Sequence, residues 1–350
     1  MRDSIGFIAI GQGGGNIGSL FEETGYTVLC VNTSEQDLAT LSNAKHTYHI
    51  KGGEGCHKDR YKAKSLAKND FSGLLNKIEQ TLTEEFIYVI FTAGGGTGSG
   101  ASPMVIDLLI RKTGKKVGAI CALPARDEPL MTFINAYECL RELEEIDGIA
   151  ATFVLDNDKI SKFTINKQFV ELFNNFVDIP QYHSYKGNID TAEVKHMLST
   201  RGAATITQLP KSNKSDITPS LIQSFKQTIF APMETDSVIT YIGLSSTTDI
   251  DTNAIIKEVG QPIDIFQGKN PESTICILCG MSFPYTELEQ MRGIVDNNKE
   301  TIAKSLSATR EVKLTDGINF LADIQKDREK AAQAKEEEDV SDIFSKYLKK

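Results

Sequence analysis

A long hydrophobic run is missing from this 350-residue sequence, since no 18 consecutive residues are apolar enough for a transmembrane helix. A basic excess is missing too, because 38 lysines and arginines stand against 47 aspartates and glutamates. The resulting net charge of −9 gives no broad electrostatic footprint for nucleic acid. The apolar stretch at the N-terminus is too short for a signal peptide and runs directly into a predicted strand. These absences predict a soluble, cytoplasmic protein.

The six cysteines are scattered, at positions 30, 56, 121, 139, 276 and 279, and four of them lie in apolar, strand-like stretches. Two of these four, Cys276 and Cys279, form a C-x-x-C pair inside one predicted strand. Residues three apart on a strand point to opposite faces, so neither a redox pair nor a zinc site is expected there. Scattered cysteines in apolar runs are typical of reduced core thiols, which agrees with a cytoplasmic location.

Glycine, by contrast, is concentrated in a few short segments, the richest of which is A-G-G-G-T-G-S-G at residues 93–100. It follows a predicted buried strand at residues 86–92 and precedes an apolar helical pattern at residues 103–111. A strand, a glycine loop and a helix N-terminus in this order form an anion site, because backbone N–H groups converge on phosphate oxygens. Thr97 and Ser99 add hydroxyl donors. The alternative, a flexible surface turn, seldom needs so many glycines between a core strand and a helix.

Two further glycine loops precede this segment, at residues 11–18 and 51–55. The first contains the G-x-G-x-x-G fingerprint of dinucleotide-binding proteins, and Glu35 follows at about the distance of a ribose-binding acid. A dehydrogenase is therefore an alternative function. It needs only one such loop, however, and three loops around one pocket suit a triphosphate better than a pyrophosphate. No G-K-[ST] follows any of the glycine runs, so the P-loop design is absent as well.

Strands alternate with helices through the first half of the chain, and each strand is apolar on both faces. This pattern predicts a doubly wound parallel sheet, in which ligands bind at the carboxyl ends of the strands. The glycine loops are expected at those ends. The predicted strands lie at residues 5–10, 27–31, 86–92, 116–123, 151–155, 238–243 and 273–280, and the predicted helices include residues 58–82, 132–146 and 163–179.

The segment G-G-G-T-G-S-G resembles the signature of the tubulin/FtsZ superfamily, and the resemblance extends over about residues 5–310. It implies a GTPase that binds GTP or GDP together with Mg²⁺. It also implies an α/β fold with a parallel-sheet GTP-binding domain, a long central helix, a second α/β domain with a smaller mixed sheet, and a C-terminal helix and tail. The corresponding segments are residues 1–162, 163–187, 188–305 and 306–350.

By this resemblance the glycine loops bind the phosphates, and residues 51–56 lie near the γ-phosphate. The segment N-T-S-E-Q resembles the family's N-T-D-A-Q, with Ser34 in the place of the acid and Glu35 as its replacement. Mg²⁺ is expected to be held mainly by phosphates and water, with Gln12 the only side chain considered as a ligand. The expected phosphate-site residues are Gly11, Gln12, Gly13, Gly14, Gly15, Asn16, Asn32, Gly53, Glu54, Gly55, Ala93, Gly94, Gly95, Gly96, Thr97 and Gly98.

The resemblance places the ribose-binding carboxylate at Glu128, while the family's nearby basic residue is replaced by Thr132. Asn157, in L-D-N-D, corresponds to the asparagine that reads guanine, and its amide can both donate to and accept from the base edge. Phe169 is the expected aromatic that stacks on guanine. Phe163 is the alternative for this role, and a core position is the alternative for either ring.

The segment N-I-D-T-A-E resembles the catalytic N-x-D-x-x-D/E loop of the same superfamily. Asn188, Asp190 and Glu193 are accordingly the expected catalytic residues, with the two acids orienting or polarising the attacking water. Without the resemblance, Asp190 followed by Glu193 is a capping box at a helix N-terminus. The long preceding helix, about 25 Å at helical rise, keeps this loop away from its own nucleotide. The resemblance therefore implies that the loop completes the active site of the next subunit in a head-to-tail filament.

Within the superfamily the sequence resembles the TubZ branch, from plasmid and phage partition systems, and three features point away from the cell-division branch. The third acid is Glu193 where division proteins have aspartate, and the terminus is a charged helix without a linker and hydrophobic peptide. The branch implies a bacterial cytoplasm and a DNA-binding adaptor of the TubR kind on the C-terminal tail, with DNA bound only indirectly and no membrane. The alternatives are an FtsZ-like division GTPase and a nucleotide-binding scaffold without turnover.

Overall fold

The computed structural model describes residues 1–311, except 42, 186, 213–215 and 235–237. The strands are β1 (Ile5–Ile10), β2 (Thr27–Asn32), β3 (His46–His49), β4 (Phe86–Thr92), β5 (Lys116–Leu123), β6 (Ala151–Asp156), β7 (Gly202–Pro210), β8 (Tyr241–Ser246), β9 (Asp264–Lys269) and β10 (Ser273–Met281). The α-helices are α1 (Gly11–Glu23), α2 (Glu35–Ala39), α3 (Arg60–Asn69), α4 (Phe71–Thr81), α5 (Thr97–Thr113), α6 (Leu130–Glu144), α7 (Lys162–Val177), α8 (Thr191–Ser199), α9 (Thr218–Ser224), α10 (Thr252–Val259) and α11 (Tyr285–Glu311).

Strands β1 to β6 are parallel and lie side by side in the order β3-β2-β1-β4-β5-β6. The central strands β1 and β4 are apolar and buried almost throughout, as strands covered on both faces are. One face packs against α4, α5 and α6, and the other against α1, α7 and α8. The predicted doubly wound parallel sheet is therefore confirmed, and its carboxyl ends share one edge.

The later strands continue the same sheet in mixed directions. Strand β7 pairs with β6 in parallel over three residue pairs, β10 lies antiparallel between β7 and β8, and β9 lies parallel to β8 at the sheet edge. The mixed part predicted for the second half is present. It is joined to the parallel part through β6 and β7, so that all ten strands form one sheet among the described residues.

Helix α7 crosses the sheet from its carboxyl edge to its amino edge. It begins just after β6, where the Ser161 hydroxyl accepts a hydrogen bond from the Thr164 N–H. It ends beside the start of β1, where the Asp178 carboxylate lies 2.6 Å from the Arg2 guanidinium. Its 16 residues span about 24 Å at helical rise. The chain that follows α7 therefore lies at the opposite edge of the sheet from the loops that follow the parallel strands.

The sequence patterns did not identify β3, β7, β9 or α11. Strands β3 and β9 lie at the two edges of the sheet and are only partly buried, so they lack a continuous apolar run. Residues 58–82, predicted as mostly helical, form two helices that meet at Asp70, whose carboxylate accepts hydrogen bonds from the Tyr48 hydroxyl and the Lys51 N–H. The predicted helix from residue 319 and the tail at residues 340–350 lie outside the described residues.

The cysteines occupy the core, as predicted. All six are buried and free, and Cys276 and Cys279 on β10 pack into different apolar clusters on the two faces of the sheet. Burial raises the pKa of the Cys276 thiol to about 12, which leaves little of the reactive thiolate. In the part of the chain that the structure describes, no helix has the length and apolar character needed to cross a membrane.

Candidate functional site

The loops that follow β1, β2 and β4 meet at the carboxyl edge of the sheet and surround a cavity of about 370 Å³. Residues 54–58 complete its wall. The parallel topology causes this meeting, because it places the carboxyl ends of neighbouring strands at one edge. The predicted glycine loops therefore share one cavity. Of the residues predicted for the phosphate site, its wall contains Gly11, Gln12, Gly13, Asn32, Glu54, Gly55, Gly95, Gly96, Thr97 and Gly98.

Close approach of the loop backbones explains the glycines on this wall. A Cβ atom on Gly98 would lie 3.0 Å from the Ile10 carbonyl oxygen, and one on Gly96 would lie 2.9 Å from the Lys58 backbone. Gly11 has a φ of +76°, a conformation that residues with side chains rarely adopt. A larger residue at these positions would push the loops apart.

Two helices begin on the cavity wall, α1 at Gly11 and α5 at Thr97, and in the described part of the chain no side chain caps the N-terminal N–H groups of either. These N–H groups and the positive ends of the two helix dipoles are therefore available to an anion. Helix α5 begins earlier than the predicted residue 103, so that part of the glycine segment forms its first turn. The hydroxyls of Thr97 and Thr33, 2.7 Å apart, connect this turn to the loop after β2.

Six other predicted phosphate-site residues do not line the cavity; Asn16 among them is exposed, and glycines among the others pack the loops together. A Cβ atom on Gly14 would lie 2.4 Å from the Ile90 carbonyl oxygen, and one on Gly94 would lie 2.9 Å from the Thr132 side chain. Small residues are therefore needed here for packing, and direct contact with phosphate stays a prediction. The six residues are Gly14, Gly15, Asn16, Gly53, Ala93 and Gly94.

The segment after β2 presents a different acid from the one expected. The Glu35 side chain is 81% exposed and lies 3.6 Å from His49 Nδ1, away from the cavity wall. Asp37 lies on the wall instead, and its carboxylate accepts a hydrogen bond of 3.2 Å from Asn32 Nδ2. The expectation that Glu35 replaces the missing acid is therefore wrong. Ser34, in the place of that acid, caps helix α2 by accepting a hydrogen bond from the Asp37 N–H.

Gln12 lies on the wall with its side chain exposed, and its Nε2 donates to Thr40 Oγ1 at 3.1 Å. Among the described residues, no group of three or more histidine, cysteine, aspartate or glutamate side chains is placed to hold a metal ion.

The residues predicted to bind the nucleoside lie at the same edge, in the loops after β5 and β6. Glu128 Oε1 accepts hydrogen bonds from Lys162 Nζ at 2.7 Å and from the Ala125 N–H at 3.2 Å. Asn157 Oδ1 is buried and finds no hydrogen-bond partner among the residues that the structure describes. An unpaired buried amide oxygen is costly, so it is suited to accept a hydrogen bond from a ligand.

Phe169 does not lie where a base can reach it. Its ring is fully buried, with ring centroids of Phe153 at 5.5 Å and of Phe230 at 5.9 Å, so neither face is open. The prediction that Phe169 stacks on guanine is therefore wrong for this structure, and the core alternative is correct. Phe163, the alternative for stacking, is 64% exposed in the first turn of α7, with Lys167 Nζ 4.3 Å from its ring centroid.

The predicted catalytic loop forms the capping box that the sequence also allowed. Asp190 Oδ1 accepts a hydrogen bond of 2.9 Å from the Glu193 N–H, and the Asp190 N–H donates to Glu193 Oε2 at 2.8 Å. Asn188 and Asp190 are exposed, and Glu193 is half-buried. The Gly187 carbonyl accepts a hydrogen bond of 3.1 Å from the Lys269 N–H of β9, which fixes the start of the loop.

This loop and the glycine cavity lie at opposite edges of the sheet. Lys195, on the helix that the loop caps, forms an ion pair with Glu85 at the amino end of β4. Thr92, at the other end of the same seven-residue strand, lies on the cavity wall. A strand of this length spans about 20 Å. Asp190 and Glu193 are therefore not brought together with the glycine loops within one chain.

Sequence reasoning missed part of the cavity wall. His57 and Lys58 line it and have φ values of 45° and 64°, in the left-handed region that favours glycine. Gln36 and Asp37 line it from α2. A basic pair directly after the glycine loop at residues 51–55 was a sequence signal for the first two.

Comparison with known proteins agrees with this architecture. A family model described as "Tubulin/FtsZ family, GTPase domain" matches residues 4–164, and one described as "Tubulin-like protein TubZ, C-terminal domain" matches residues 193–282. The tubulin-like protein TubZ of Clostridium botulinum C phage is 33% identical over 363 residues, which cover 99% of this chain and all of that protein.

Solved structures show the same relationship. The crystal structure of the Clostridium botulinum phage c-st TubZ has a TM-score of 0.77 and 31% identity, covering 86% of this chain and all of that chain. A GTPγS-form protofilament of Bacillus thuringiensis serovar israelensis TubZ has a TM-score of 0.75 at 20% identity, covering 86% of this chain and 94% of that chain, and shows likeness of fold. The chain therefore belongs to the tubulin/FtsZ family of GTPases, in its TubZ group.

Proposed function

We propose that this GTPase binds GTP at the carboxyl edge of the sheet, assembles head to tail, and hydrolyses GTP only at the contact between two subunits. The observation that carries the proposal is the position of the acidic loop at the amino edge, with about 20 Å of strand between it and the phosphate cavity. A loop fixed to β9 and capped onto α8 does not reach its own nucleotide.

In this proposal the cavity holds the phosphates through backbone N–H groups. The uncapped starts of α1 and α5 supply donors, and Thr97 adds a hydroxyl. Mg²⁺ when bound neutralises charge on the phosphate oxygens. Its preference for oxygen ligands fits the Gln12 amide and the Asp37 carboxylate on the wall, with phosphates and water as its main ligands.

The nucleoside is held beside this cavity. The unpaired Oδ1 of Asn157 accepts a hydrogen bond from guanine, and Glu128, now paired with Lys162, binds the ribose hydroxyls. The exposed ring of Phe163, rather than Phe169, provides the aromatic surface for the base. These contacts favour guanine over adenine because guanine offers N–H donors at N1 and at its 2-amino group to the acceptor oxygen, whereas adenine has an acceptor at N1 and no 2-amino group.

Catalysis requires the next subunit. Its Asp190 and Glu193 approach the terminal phosphate and orient or polarise the attacking water, while Asn188 positions the loop. A contact between two different surfaces does not close on itself, so repetition of this contact produces a filament. The GTPγS-form protofilament of the Bacillus thuringiensis protein supports this arrangement. Hydrolysis of GTP then weakens the contact between the two subunits, which is the contact that completed the active site.

The cellular role we propose is segregation of plasmid or phage DNA in the bacterial cytoplasm. The phage origin of a full-length relative supports this role over cell division. The net charge of −9 argues against direct DNA binding, so a TubR-like adaptor would connect DNA to the C-terminal tail at residues 340–350. Co-pelleting of filaments with adaptor and DNA, with and without this tail, tests the role.

Protein concentration provides the test of shared catalysis. Turnover per subunit should rise with concentration and reach a plateau, because only assembled subunits have a complete site. Glu193→Ala should bind GTP with unchanged affinity, hydrolyse it poorly and form over-stable filaments. Turnover per subunit that is independent of concentration would show instead that each chain is a self-contained enzyme, and normal turnover by Glu193→Ala would remove the acidic loop from the mechanism.

A further inference from the structure

The cavity wall contains one side chain with a permanent positive charge. Among the residues that line it, Lys58 is the only lysine or arginine, and His57 beside it is the only histidine. The same wall carries the carboxylates of Asp37 and Glu54. A nucleoside triphosphate adds several negative charges to this wall, so the position of the single lysine affects where the phosphates lie.

Lys58 has no partner for its ammonium group within the described part of the chain, although it is half-buried. Two other lysines of the same region are paired, since Lys51 Nζ lies 3.9 Å from the Asp70 carboxylate and Lys64 Nζ lies 2.5 Å from the Glu142 carboxylate. A half-buried ammonium without a carboxylate is suited to an anionic ligand.

The backbone at this point is held in an unfavourable conformation. His57 and Lys58 are the only non-glycine residues with positive φ among those that the structure describes. Such conformations persist only where surrounding contacts impose them, and they are concentrated at ligand sites and switches. The chain therefore keeps Lys58 on the wall at a cost in local backbone energy.

Two buried side chains connect the chain around Lys58 to the glycine segment at residues 93–100. Asn135 of α6 is 3% exposed, and its Nδ2 donates to the carbonyl oxygens of Lys58 at 2.9 Å and Gly95 at 3.0 Å. Arg60 is 5% exposed, and its Nη2 donates to the Ser99 carbonyl oxygen at 3.0 Å. The Asn135 amide thus links the Lys58 backbone to the glycine segment.

We propose that Lys58 binds the terminal phosphate of the bound nucleotide and so distinguishes GTP from GDP, with Asn135 as the positioning residue that holds its backbone on the glycine segment. This role rests on the proposed nucleotide site. It adds to that site the side chain of Lys58, which lies outside the glycine loops and the acidic loop identified in the sequence. Of residues 51–56, only Glu54, Gly55 and Cys56 line the cavity, and none of them is basic, whereas Lys58 contributes a full positive charge on a flexible stem.

The test compares the affinities of GDP and of a slowly hydrolysed GTP analogue for four proteins: the wild type, Lys58→Ala, Lys58→Arg and Lys51→Ala. Loss of one charge-assisted contact should weaken binding of the analogue by Lys58→Ala about tenfold or more, and binding of GDP much less. Lys58→Arg should restore most of the difference. Lys51→Ala is the matched control, because this lysine lies in the same loop with its side chain 79% exposed and off the cavity wall.

Asn135→Ala should reduce the same preference for the analogue while the protein retains its thermal unfolding transition. Equal loss of GDP and analogue binding by Lys58→Ala, or no loss of either, would overturn the proposed role of Lys58 while leaving the nucleotide site in place. Failure of the wild type to bind either nucleotide would instead overturn the site itself.

Discussion

Asp190 caps helix α8, and in the proposed mechanism its carboxylate also acts in catalysis. Replacing Asp190 by asparagine separates these two roles. Asparagine caps helices about as well as aspartate, so Asp190→Asn should keep the hydrogen bond now accepted from the Glu193 N–H. We expect the free energy of unfolding to change by less than about 0.5 kcal/mol. The carboxylate charge is lost, however, and GTP turnover at saturating protein concentration should fall by about 100-fold or more.

Two further variants calibrate this result. Asp190→Ala removes both the cap and the charge, so it should lose about 1 kcal/mol of stability in addition to activity. Asp251 caps α10 in the same way, through hydrogen bonds from the N–H groups of Asn253 and Ala254, and it lies outside the proposed active site. Asp251→Asn should therefore leave both stability and turnover unchanged.

The assays are phosphate release as a function of protein concentration and thermal or urea unfolding of the same preparations. Wild-type turnover by Asp190→Asn would show that this residue is a helix cap and nothing more. Loss of turnover together with a large loss of stability would refute the structural reasoning, because it would mean that the cap depends on the charge.

Two other predictions concern the nucleotide edge. Phe163→Ala should weaken GTP binding about tenfold with little change in stability. Phe169→Ala should instead cost about 3–5 kcal/mol of unfolding free energy. Titration with guanosine nucleotides and urea unfolding of both variants test this, and weakened GTP binding by Phe169→Ala alone would restore Phe169 as the stacking residue. Gly98→Ala should lower GTP affinity, since its Cβ atom would lie 3.0 Å from a backbone carbonyl oxygen of β1. Gly95→Ala is the milder control, because the nearest atom to its Cβ would be a side-chain hydroxyl at 3.2 Å. Equal GTP affinities of the two variants would contradict the packing explanation.

The central strands could be predicted from the sequence because they are continuous apolar runs. The bounds of β1, β4 and β5 agree with the predicted residues 5–10, 86–92 and 116–123. Parallel topology then requires the following loops to meet, so the position of the phosphate cavity also follows from the sequence. The edge strands β3 and β9 could not be recognised, since partly exposed strands at an edge need no apolar pattern.

The error at Phe169 has a physical explanation in the helix period. Ile165, Phe169 and Phe173 are spaced by four residues and form the buried stripe of α7. Phe163 lies outside this spacing, in the exposed first turn. The helix period alone thus favoured Phe163 as the ring that is open to a ligand. The resemblance to the superfamily favoured Phe169 instead.

The details of the cavity wall depend on contacts between distant parts of the chain. Asp37 rather than Glu35 lies on the cavity wall, in a short helix that Ser34 caps and that begins at Glu35, two residues before the predicted start at residue 37. The conformation of Lys58 depends on Asn135, which lies 77 residues further along the chain. No local pattern encodes such a contact, so the sequence shows the basic pair His57 and Lys58 but does not predict the backbone conformation that places Lys58 on the cavity wall.

The most direct test of shared catalysis mixes two variants that are each inactive. Gly95 lines the phosphate cavity, so Gly95→Asp places a carboxylate there and should block GTP binding by repulsion of the phosphates. Asp190→Asn keeps the cavity and lacks the catalytic charge. In an equal mixture, about one quarter of head-to-tail contacts join an intact cavity to an intact acidic loop. We predict that GTP turnover of the mixture, averaged over all subunits, recovers toward about one quarter of the wild-type value. Turnover no greater than the sum of the two separate variants would contradict an active site shared between subunits.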